Sequence, residues 1–366
     1  MRPWFARSDD RRKGQRVAAT LADVARRAGV SAATVSRVLN DNYPVAPATR
    51  QRVLRAVQEL EYVINGNARA LAASTSDLIG VLVNDVADPF FGLIASGVQS
   101  ETGGDKLAVV CNTTGAPDRE LNYLTLLQRQ RAAGVVLSGS AIEEPEHIHA
   151  VTERLRRLAA AGTRIVLCGR PPLPGLAGGG DDAKVATLAF ANRDGARELT
   201  EHLLALGHRR IGYVAGPADR TTTRHRLEGH RAALAARGMG AGSGRLIAHC
   251  AYDRASGRRA TLALLDAEPG LTAIAAANDT MALGVCAALR ERGLRIPDDV
   301  SVTGFDDLPF SADAFPGLTT VRLPLYQAGA LAGRLLMGHE SPPPDGLVTI
   351  PAEVVRRDST APPRRP

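Results

Sequence analysis

The sequence predicts a small all-α helix-turn-helix module followed by an α/β core of two doubly wound parallel-sheet subdomains. Three observations lead to this fold class. The positive charge excess lies in the first fifth of the chain, two short helix-periodic stretches flank a glycine there, and the remainder alternates apolar runs with helical stretches. A chain of 366 residues has room for two or three domains. No apolar stretch reaches the length that crosses a bilayer, which argues against a membrane-embedded protein.

The charge of the chain is unevenly distributed. The formal net charge is +7. The first 73 residues contain 13 Lys and Arg and 6 Asp and Glu, and the rest of the chain contains 32 of each. A small basic segment joined to a larger neutral one is typical of a polyanion-binding module attached to a domain with another task. A basic tail that only aids solubility would carry the same charge, so the charge alone does not distinguish such a tail from a polyanion-binding module.

The segment that begins at Thr20 has the pattern of three short helices. Apolar residues at helical spacing predict the first helix, Gly29 and Val30 break it, and Ser31 is placed to cap the second. The third helix is predicted over about Thr49 to Leu60. The inward residues of the first two helices are predicted to be Leu21, Val24, Ala25, Ala28, Val35, Val38 and Leu39. This arrangement leaves the second helix free to enter a DNA major groove.

These residues carry a family resemblance. The run VSAATVSRVLN, followed by PATRQRV and then by ELEYVINGNARALA, resembles the lactose/galactose repressor (LacI/GalR) family of bacterial transcription regulators. The match joins a helix-turn-helix to a second signature at a fixed distance, which makes it specific. It implies double-stranded operator DNA as a partner and a homodimer, or a higher oligomer, on an inverted-repeat site.

The resemblance also implies which side chains contact DNA. Ala32 and Ala33 lie where the family's base-reading side chains project, and Arg37 follows one turn later on the same face. Arginine can donate two hydrogen bonds to guanine, whereas alanine offers only a methyl contact, so Arg37 is expected to carry most of the polar base readout. The hydroxyl groups of three residues suit phosphate oxygens, although helix capping and surface polarity would also explain them. These three are Ser31, Thr34 and Ser36.

The segment from Asn65 to Ala72 corresponds to the family's hinge helix, which folds in the minor groove when two subunits pair. About eight residues cannot hold a helix in water without packing or a ligand, which explains this behaviour. Leu71 matches the leucine that inserts between central base pairs, and Asn65 and Ala68 are further candidates for DNA contact. Ala46 stands where the family often has a capping serine, an absence that weakens the third helix by about 1 kcal/mol.

The remainder of the chain predicts parallel sheets covered on both faces. Apolar runs at 78–84, 107–111, 134–138 and 164–168 alternate with helical stretches, and a similar series restarts at 211–217. The glycine- and proline-rich stretch 171–180 is interpreted as the first crossover between two subdomains. The predicted organisation is a disordered basic tail (1–18), the DNA-binding domain (19–64), a hinge and linker (65–76), a first subdomain (about 77–177 and 323–342), a second (about 178–322 and 343–357), and a disordered tail (358–366).

The core carries further strings of the same family and, through it, resembles periplasmic sugar-binding proteins. The strings are DPFF, LGHRRIGYVAGP, RHRLEGH, ANDTMALG, GFDD and PGLTTV. The likeness implies that Arg226, Asn278 and Asp306 converge on a small effector in a cleft between the subdomains. Their donors and acceptors suit a polyhydroxylated ligand. An ordinary capping role is an alternative for Asn278 and Asp306.

Aromatic walls and weaker candidates complete the expected effector site. Phe90 and Tyr252 stand where the family places groups that stack on a sugar or purine ring, whereas Phe91 is expected in the core. Arg220, Thr222 and Arg170 are weaker candidates at loop ends. The effector class stays open between sugars and nucleosides or purines.

No enzyme or metal signature is evident in the sequence. The Ser138–Ser140 stretch is not a nucleophile elbow, and the acidic and histidine cluster at 143–149 lies in a charged loop-to-helix stretch. We therefore expect no catalytic residues, no metal and no cofactor. A sugar-metabolising enzyme fused to a DNA-binding domain is the alternative. Four scattered cysteines and the lack of an apolar leader favour the cytoplasm, in association with the nucleoid, and no membrane partner.

Overall fold

The computed structural model describes residues 19–40, 43–62, 75–176, 184–239 and 243–364. The chain divides into two compact units, residues 1–72 and 73–366. The predicted DNA contacts Asn65, Ala68 and Leu71, and the predicted tail 1–18, lie outside the described residues.

The first unit contains three helices, α1 (Leu21–Ala28), α2 (Ala32–Asn40) and α3 (Pro47–Glu59). Thr20 and Asp23 form a reciprocal capping box at the start of α1, and Gly29 ends it at φ 65°, a left-handed conformation that favours glycine. Buried apolar side chains from all three helices make one small core, consisting of Val24, Ala25, Ala28, Val35, Val38, Val53 and Ala56. The predicted helix-turn-helix and its inward-facing valines are therefore present.

The caps of α2 and α3 follow the sequence prediction. The Ser31 hydroxyl accepts a hydrogen bond from the Thr34 amide at 3.2 Å, which caps α2. Ala46 precedes α3 and makes no side-chain cap, although Pro47 occupies the first turn. The start of α3 therefore lacks the hydrogen bond that a serine would supply.

The second unit contains two parallel sheets. The six-stranded sheet has the order β11-β5-β4-β3-β1-β2 and the four-stranded sheet has the order β7-β6-β8-β9. An antiparallel pair, β10 with β12, lies outside both. The strands are β1 (Leu78–Val83), β2 (Leu107–Asn112), β3 (Gly134–Ser138), β4 (Arg164–Cys168), β5 (Val185–Phe190), β6 (Ile211–Ala215), β7 (Ile247–His249), β8 (Ala273–Ala276), β9 (Ser301–Thr303), β10 (Thr320–Arg322), β11 (Leu347–Ile350) and β12 (Glu353–Val355).

Helices alternate with these strands. They are α4 (Pro89–Thr102), α5 (Pro117–Arg129), α6 (Pro145–Ala160), α7 (Asn192–Ala205), α8 (Thr221–Ala235), α9 (Arg254–Ala267), α10 (Asp279–Glu291), α11 (Phe310–Asp313) and α12 (Leu325–Met337). One apolar cluster joins the six-stranded sheet to α4, α7 and α12, and a second joins its other face to α5 and α6. A third cluster surrounds the four-stranded sheet. Each sheet is thus buried on both faces, as parallel sheets require.

Two predicted subdomain boundaries were wrong. The stretch 171–180 does not cross to the second sheet, because β5 pairs in parallel with β4 and the chain leaves the first sheet only after Phe190. The segment 343–357 was assigned to the second subdomain, yet β11 pairs with β5 in the first sheet. Glycine and proline mark a break in secondary structure, and they do not indicate which sheet the next strand joins.

The predicted disordered tail 358–366 was also wrong over most of its length, since residues 358–364 are described and well anchored. Ser359 is 1% exposed. Its carbonyl accepts a hydrogen bond from the Val302 amide at 2.9 Å, and its hydroxyl donates to the Val302 carbonyl at 2.7 Å. The segment 356–364, here called the C-terminal strap, thereby lies along β9, the edge strand of the second sheet.

Candidate functional site

A cavity of about 400 Å³ opens in the second unit at the carboxyl ends of the parallel strands. This volume lies in the range of small-molecule sites, and strand ends in doubly wound sheets are where such sites form. Lining residues follow strands of both sheets: Asn84 and Asp85 after β1, Thr114 and Gly115 after β2, Gly139 and Ser140 after β3, Gly169 after β4, Pro217 after β6, Ala251, Tyr252 and Asp253 after β7, Asn278 after β8, and Asp306 after β9.

Of the eight predicted effector candidates, Arg170 does not line this cavity and pairs with Glu120 instead. The structure brings the other seven to the cavity. Its lining includes Phe90, Arg220, Thr222, Arg226, Tyr252, Asn278 and Asp306. They come from loops and helices spread over more than two hundred residues of sequence. Their convergence follows from the topology, because parallel strands present their carboxyl ends at the same edge.

Arg226 occupies the centre of the polar wall. Its side chain is buried and lies on α8. The guanidinium donates from Nη2 to Asp306 Oδ1 at 2.7 Å and from Nε to Asn192 Oδ1 at 2.8 Å. Its Cζ also lies 3.7 Å from the centroid of the Phe305 ring. The arginine is therefore held in one orientation, which favours directional recognition of a ligand.

Asp306 is the acidic partner of this arginine. Burial raises the pKa of Asp306 to about 7, against the opposing effect of the Arg226 charge. The residue also has φ 104°, a backbone conformation that is strained for any residue with a side chain. Its amide donates to the Val321 carbonyl at 2.8 Å, so hydrogen bonding to β10 holds the strained turn in place.

Asn278 combines the two roles that its sequence left open. Its Oδ1 accepts from the Met281 amide at 2.8 Å and caps α10, and the same side chain lines the cavity. The next residue, Asp279, is fully buried and accepts from the Leu308 amide and the Ser311 hydroxyl, both at 2.8 Å. These bonds fix the start of α10 against the loop that carries Asp306.

Aromatic side chains form the apolar walls. Phe90 makes edge-to-face contacts with Phe91, with ring centroids 5.0 Å apart, and with Phe190 at 6.2 Å. Phe91 is buried in the core as predicted, yet it also lines the cavity. Tyr252 is hydrogen-bonded through its hydroxyl to Thr223, and burial raises the pKa of its phenol. A sugar or purine ring can pack against such surfaces.

Two of the weaker candidates, Arg220 and Thr222, link the two halves of the cavity wall. Arg220 Nη2 donates to the Gly115 carbonyl at 2.9 Å, and the Thr222 amide donates to Ser140 Oγ at 3.1 Å. Arg220 and Thr222 belong to the second sheet's half, whereas Gly115 and Ser140 follow strands of the first. These two residues therefore both line the cavity and hold its walls together.

Sequence reasoning missed several lining residues. Asn192 holds Arg226, Ser140 bonds to Thr222, and three carboxylates, those of Asp85, Asp88 and Asp253, face the same space. Asp85 and Asp88 lie just before the predicted Phe90. Their position after the end of β1 could therefore have identified them as lining residues. Asp88 caps α4 by accepting from the Phe90 amide at 2.9 Å.

The acidic and histidine stretch at 143–149 does not form a separate site. His147 lies 3.6 Å from Glu120, which is held instead by two bonds from Arg170 at 2.7 and 2.8 Å. The Arg170 charge helps to keep the pKa of Glu120 well below its usual range. Across the described ranges, no group of three or more potential metal ligands is found.

The predicted DNA-reading side chains lie on the outer face of α2. Ala32, Ala33 and Arg37 are exposed, whereas Val35 and Val38 on the opposite face are buried. The hydroxyl groups of Ser31 and Thr34 lie 2.9 Å apart at the cap of α2, and Ser36 is half-buried.

Tyr43 adds a residue that sequence reasoning missed. Arg37 Cζ lies 5.4 Å from the centroid of the Tyr43 ring, which is 63% exposed. This cation–π contact orients the arginine on the exposed face. No helix in the described part of the chain is long and apolar enough to cross a bilayer.

Comparisons with known proteins agree with this arrangement. Residues 20–65 match the family model of bacterial regulatory proteins of the lacI family, and residues 200–360 match that of the periplasmic binding protein-like domain. The ribose operon repressor of Halalkalibacterium halodurans is 33% identical over 344 residues, which cover 93% of this chain and 97% of the relative. The transcriptional regulator GalR of Escherichia coli is 35% identical over 352 residues, covering 94% and 96%.

Solved structures show the same similarity. A Lac repressor dimer bound to operator and the anti-inducer ONPF has a TM-score of 0.74 and 28% identity, covering 94% of this chain and 99% of that chain. The transcriptional regulator CelR in complex with cellobiose has a TM-score of 0.65 and 31% identity, covering 93% and 99%. The relatives named above are regulators and repressors, and none is named as an enzyme. The chain therefore belongs to the lacI family of bacterial regulatory proteins.

Proposed function

We propose that this protein is a transcriptional repressor that binds an inverted-repeat operator as a dimer and responds to a sugar-like effector in its cavity. The observation that carries the proposal is the convergence of seven predicted effector residues around the buried Arg226–Asp306 pair. It acts in the cytoplasm, in association with the nucleoid.

The outer face of α2 reads the operator in this proposal. Arg37 donates to guanine in the major groove, and Ala32 and Ala33 make methyl contacts with bases. Ser31, Thr34 and Ser36 contact phosphates, which sets the register without reading sequence. Asn65, Ala68 and Leu71 enter the minor groove, where Leu71 opens a central base step.

Two exposed apolar surfaces of the second unit support a dimer. Leu107 and Val109 lie on the same face of the edge strand β2 and are 65% and 38% exposed. Phe315 is 98% exposed on the loop before β10. Large apolar side chains on a sheet edge and at a loop tip are typical of association surfaces. We assign them to contacts with a second copy of this chain.

Effector binding in this proposal alters the contacts that cross the cavity. Arg220 and Thr222 already bond across it, so a ligand between the walls changes their spacing. The first half of the core leads into the hinge segment, which connects this change to DNA affinity. The coupling free energy is expected to be about 1–3 kcal/mol in magnitude and reciprocal between the two ligands.

The test combines operator selection with effector titration. Full-length protein is used to select duplexes from a random library, and the affinity for the recovered site is measured with and without sugars and purine nucleosides. The proposal expects a palindromic consensus and a shift of at least about fivefold with one compound. Failure to enrich a palindrome, or chemical conversion of the added compound, would contradict it.

A further inference from the structure

The effector cavity carries more negative than positive charge. Among its described lining residues, four bear carboxylates and two bear guanidinium groups: Asp85, Asp88, Asp253, Asp306, Arg220 and Arg226. One pair cancels while Asp306 is ionised, because Arg226 Nη2 donates to Asp306 Oδ1 at 2.7 Å and both side chains are buried. Arg220 is already matched as well, since its Nε lies 3.5 Å from the carboxylate of Asp219. Three carboxylates of the lining remain without an arginine partner in the cavity.

Asp85 and Asp88 concentrate negative charge at the Phe90 end. Asp85 Oδ1 accepts from the Ala87 amide at 3.0 Å, and Asp88 Oδ1 accepts from the Phe90 amide at 2.9 Å. Neutral amides satisfy these oxygens without cancelling their charge. The two carboxylates also interact, because the Asp85 charge adds to the burial that raises the pKa of Asp88. The Asp88 charge also contributes to the raised pKa of Asp306.

Side chains of the protein cap three of the helix amino termini that border the cavity, whereas α7 and α8 begin there without a side-chain cap. A helix start is an anion site only while its amides are available. Asp88 accepts from the Phe90 amide at the start of α4, Asp253 accepts from the Ser256 amide at 2.7 Å at the start of α9, and Asn278 caps α10. At these three helix starts, a phosphate or carboxylate on a ligand would therefore compete with two carboxylates and an amide that are already in place.

From these two observations we propose that the effector is a sugar-like molecule without negative charge, a neutral sugar or an amino sugar, and that Asp85 and Asp88 exclude phosphate esters and sugar acids. The inference rests on the proposed function of the cavity and names the ligand class that it takes. Asp88 is half-buried, where Coulomb repulsion is several times stronger than in water, whereas Asp85 and Asp253 are exposed and more strongly screened. Together these carboxylates penalise an anion and tolerate an ammonium group.

The experiment compares matched ligands that differ in charge. Full-length protein is titrated calorimetrically with ribose, galactose and glucose, with the phosphate ester of each, and with the 2-amino analogues of the two hexoses. The proposal expects at least one neutral or amino sugar to bind and its phosphate ester to bind at least about tenfold more weakly. Raising the salt concentration should narrow this difference, because screening weakens the repulsion.

A double variant tests the two residues directly. Asp85→Asn with Asp88→Asn removes two charges and keeps acceptor oxygens for the turn and the helix cap, where asparagine is as effective as aspartate. This variant should discriminate between the neutral parent sugar and its phosphate ester at least about fivefold less than the unmodified protein does. The matched control is Asp118→Asn, which removes a charge from an exposed position of α5 outside the lining. Its discrimination should not change.

Each remaining outcome overturns the inference. A phosphate ester that binds as tightly as its parent contradicts the assigned class, and so does binding by none of the eight compounds. If the double variant and the Asp118→Asn control show the same affinity ratio between parent sugar and phosphate ester, Asp85 and Asp88 do not cause the exclusion of anions. Operator binding is measured on the same samples, so that a wrong ligand class, with DNA binding intact, is distinguished from failure of the proposed function.

Discussion

The helical unit and the effector cavity use arginine in opposite ways. Arg37 is exposed on α2, and its Cζ lies 5.4 Å from the centroid of the Tyr43 ring. Arg226 is 3% exposed and is held by Asp306, Asn192 and the ring of Phe305. An exposed guanidinium is available to a polyanion, whereas a buried and neutralised one offers direction without net charge. The difference between the two regions lies in the partners of the arginine rather than in the residue type.

The largest effect is expected from Arg226→Met, which breaks the buried pair. Loss of the guanidinium leaves three buried acceptors, on Asp306, Asn192 and Ala277, without their donor. Each unsatisfied acceptor lowers the free energy of unfolding of the core by about 1–3 kcal/mol. Effector binding should also be lost. Denaturant unfolding and calorimetric titration measure the two effects.

The matched control for that change is the double variant Arg226→Met with Asp306→Asn. Removing both charges should restore part of the stability while effector binding stays absent. Arg37→Met, which removes an exposed arginine, should change the stability of its own unit by less than about 0.5 kcal/mol. An equal loss of stability from Arg37→Met and Arg226→Met would refute the comparison.

Arg37→Ala should weaken operator binding by about 1–3 kcal/mol and nonspecific binding much less, since a base contact is lost. The control is Arg52→Ala, which removes a guanidinium from the outer part of α3. That variant should weaken both kinds of DNA binding alike and reduce the salt dependence. Competition assays with operator and scrambled duplexes at two salt concentrations report the difference. Equal loss for both duplexes in Arg37→Ala would exclude base reading by this residue.

The pH dependence of effector affinity should be about tenfold between pH 8 and pH 6. Because burial raises the pKa of Asp306 to about 7, the carboxylate is mostly ionised at pH 8 and mostly protonated at pH 6. Only the ionised form accepts hydroxyl donors with both oxygens, so affinity for a neutral sugar falls with the ionised fraction. Calorimetry across this range measures the trend, and a flat profile would contradict it.

The free energy of unfolding should also depend on the titration of Asp306, but it should fall with rising pH, whereas effector affinity rises. The pKa of Asp306 is higher in the folded core than the usual 3.8, so its contribution to stability is present at low pH and is lost as the pH rises from about 4 through 7. The pH profile of unfolding for the Asp306→Asn variant should lack this contribution. Identical slopes for the variant and the unmodified protein would exclude it.

The smallest effect is expected from Ala46→Ser, which supplies the missing cap of α3. The serine hydroxyl can accept from an amide of the first turn, and the helical unit should gain about 0.5–1 kcal/mol. Ala46→Val serves as a control that changes the side chain without adding an acceptor, because valine is as poor an N-cap residue as alanine. Thermal unfolding measures the stability of the helical unit in the two variants. An equal change in both would show that the serine cap does not contribute.

The fold was predictable where a local pattern fixes it. The turn at Gly29 and the valines of α2 follow from helical periodicity and the left-handed preference of glycine. Apolar runs predicted β1 to β4 and β6, but β5 and β11 of the first sheet were not predicted. The assignment of β5 to the first sheet was not predictable, because pairing between β4 and β5 is decided by tertiary contacts on either side of a glycine- and proline-rich stretch.

The cavity was predictable to a similar extent. Arg226, Asn278 and Asp306 were located through family strings, and topology brought them together. Asn192 and Ser140 carry no such string, and their roles depend on partners that are distant in sequence. Asp85 and Asp88 have the residue types of an ordinary turn and helix cap. Their effect on ligand charge becomes evident only when the arginines of the lining are seen to be matched already.

The C-terminal strap has a practical consequence for anyone shortening or tagging this protein. Ser359 and Ala361 engage Ser301 and Val302 of β9 through backbone and hydroxyl groups. A version that stops at residue 357 would uncover a strand edge, and bare strand edges recruit other chains into aggregates. Affinity tags should therefore be placed after residue 364, where they leave the contacts between the C-terminal strap and β9 intact.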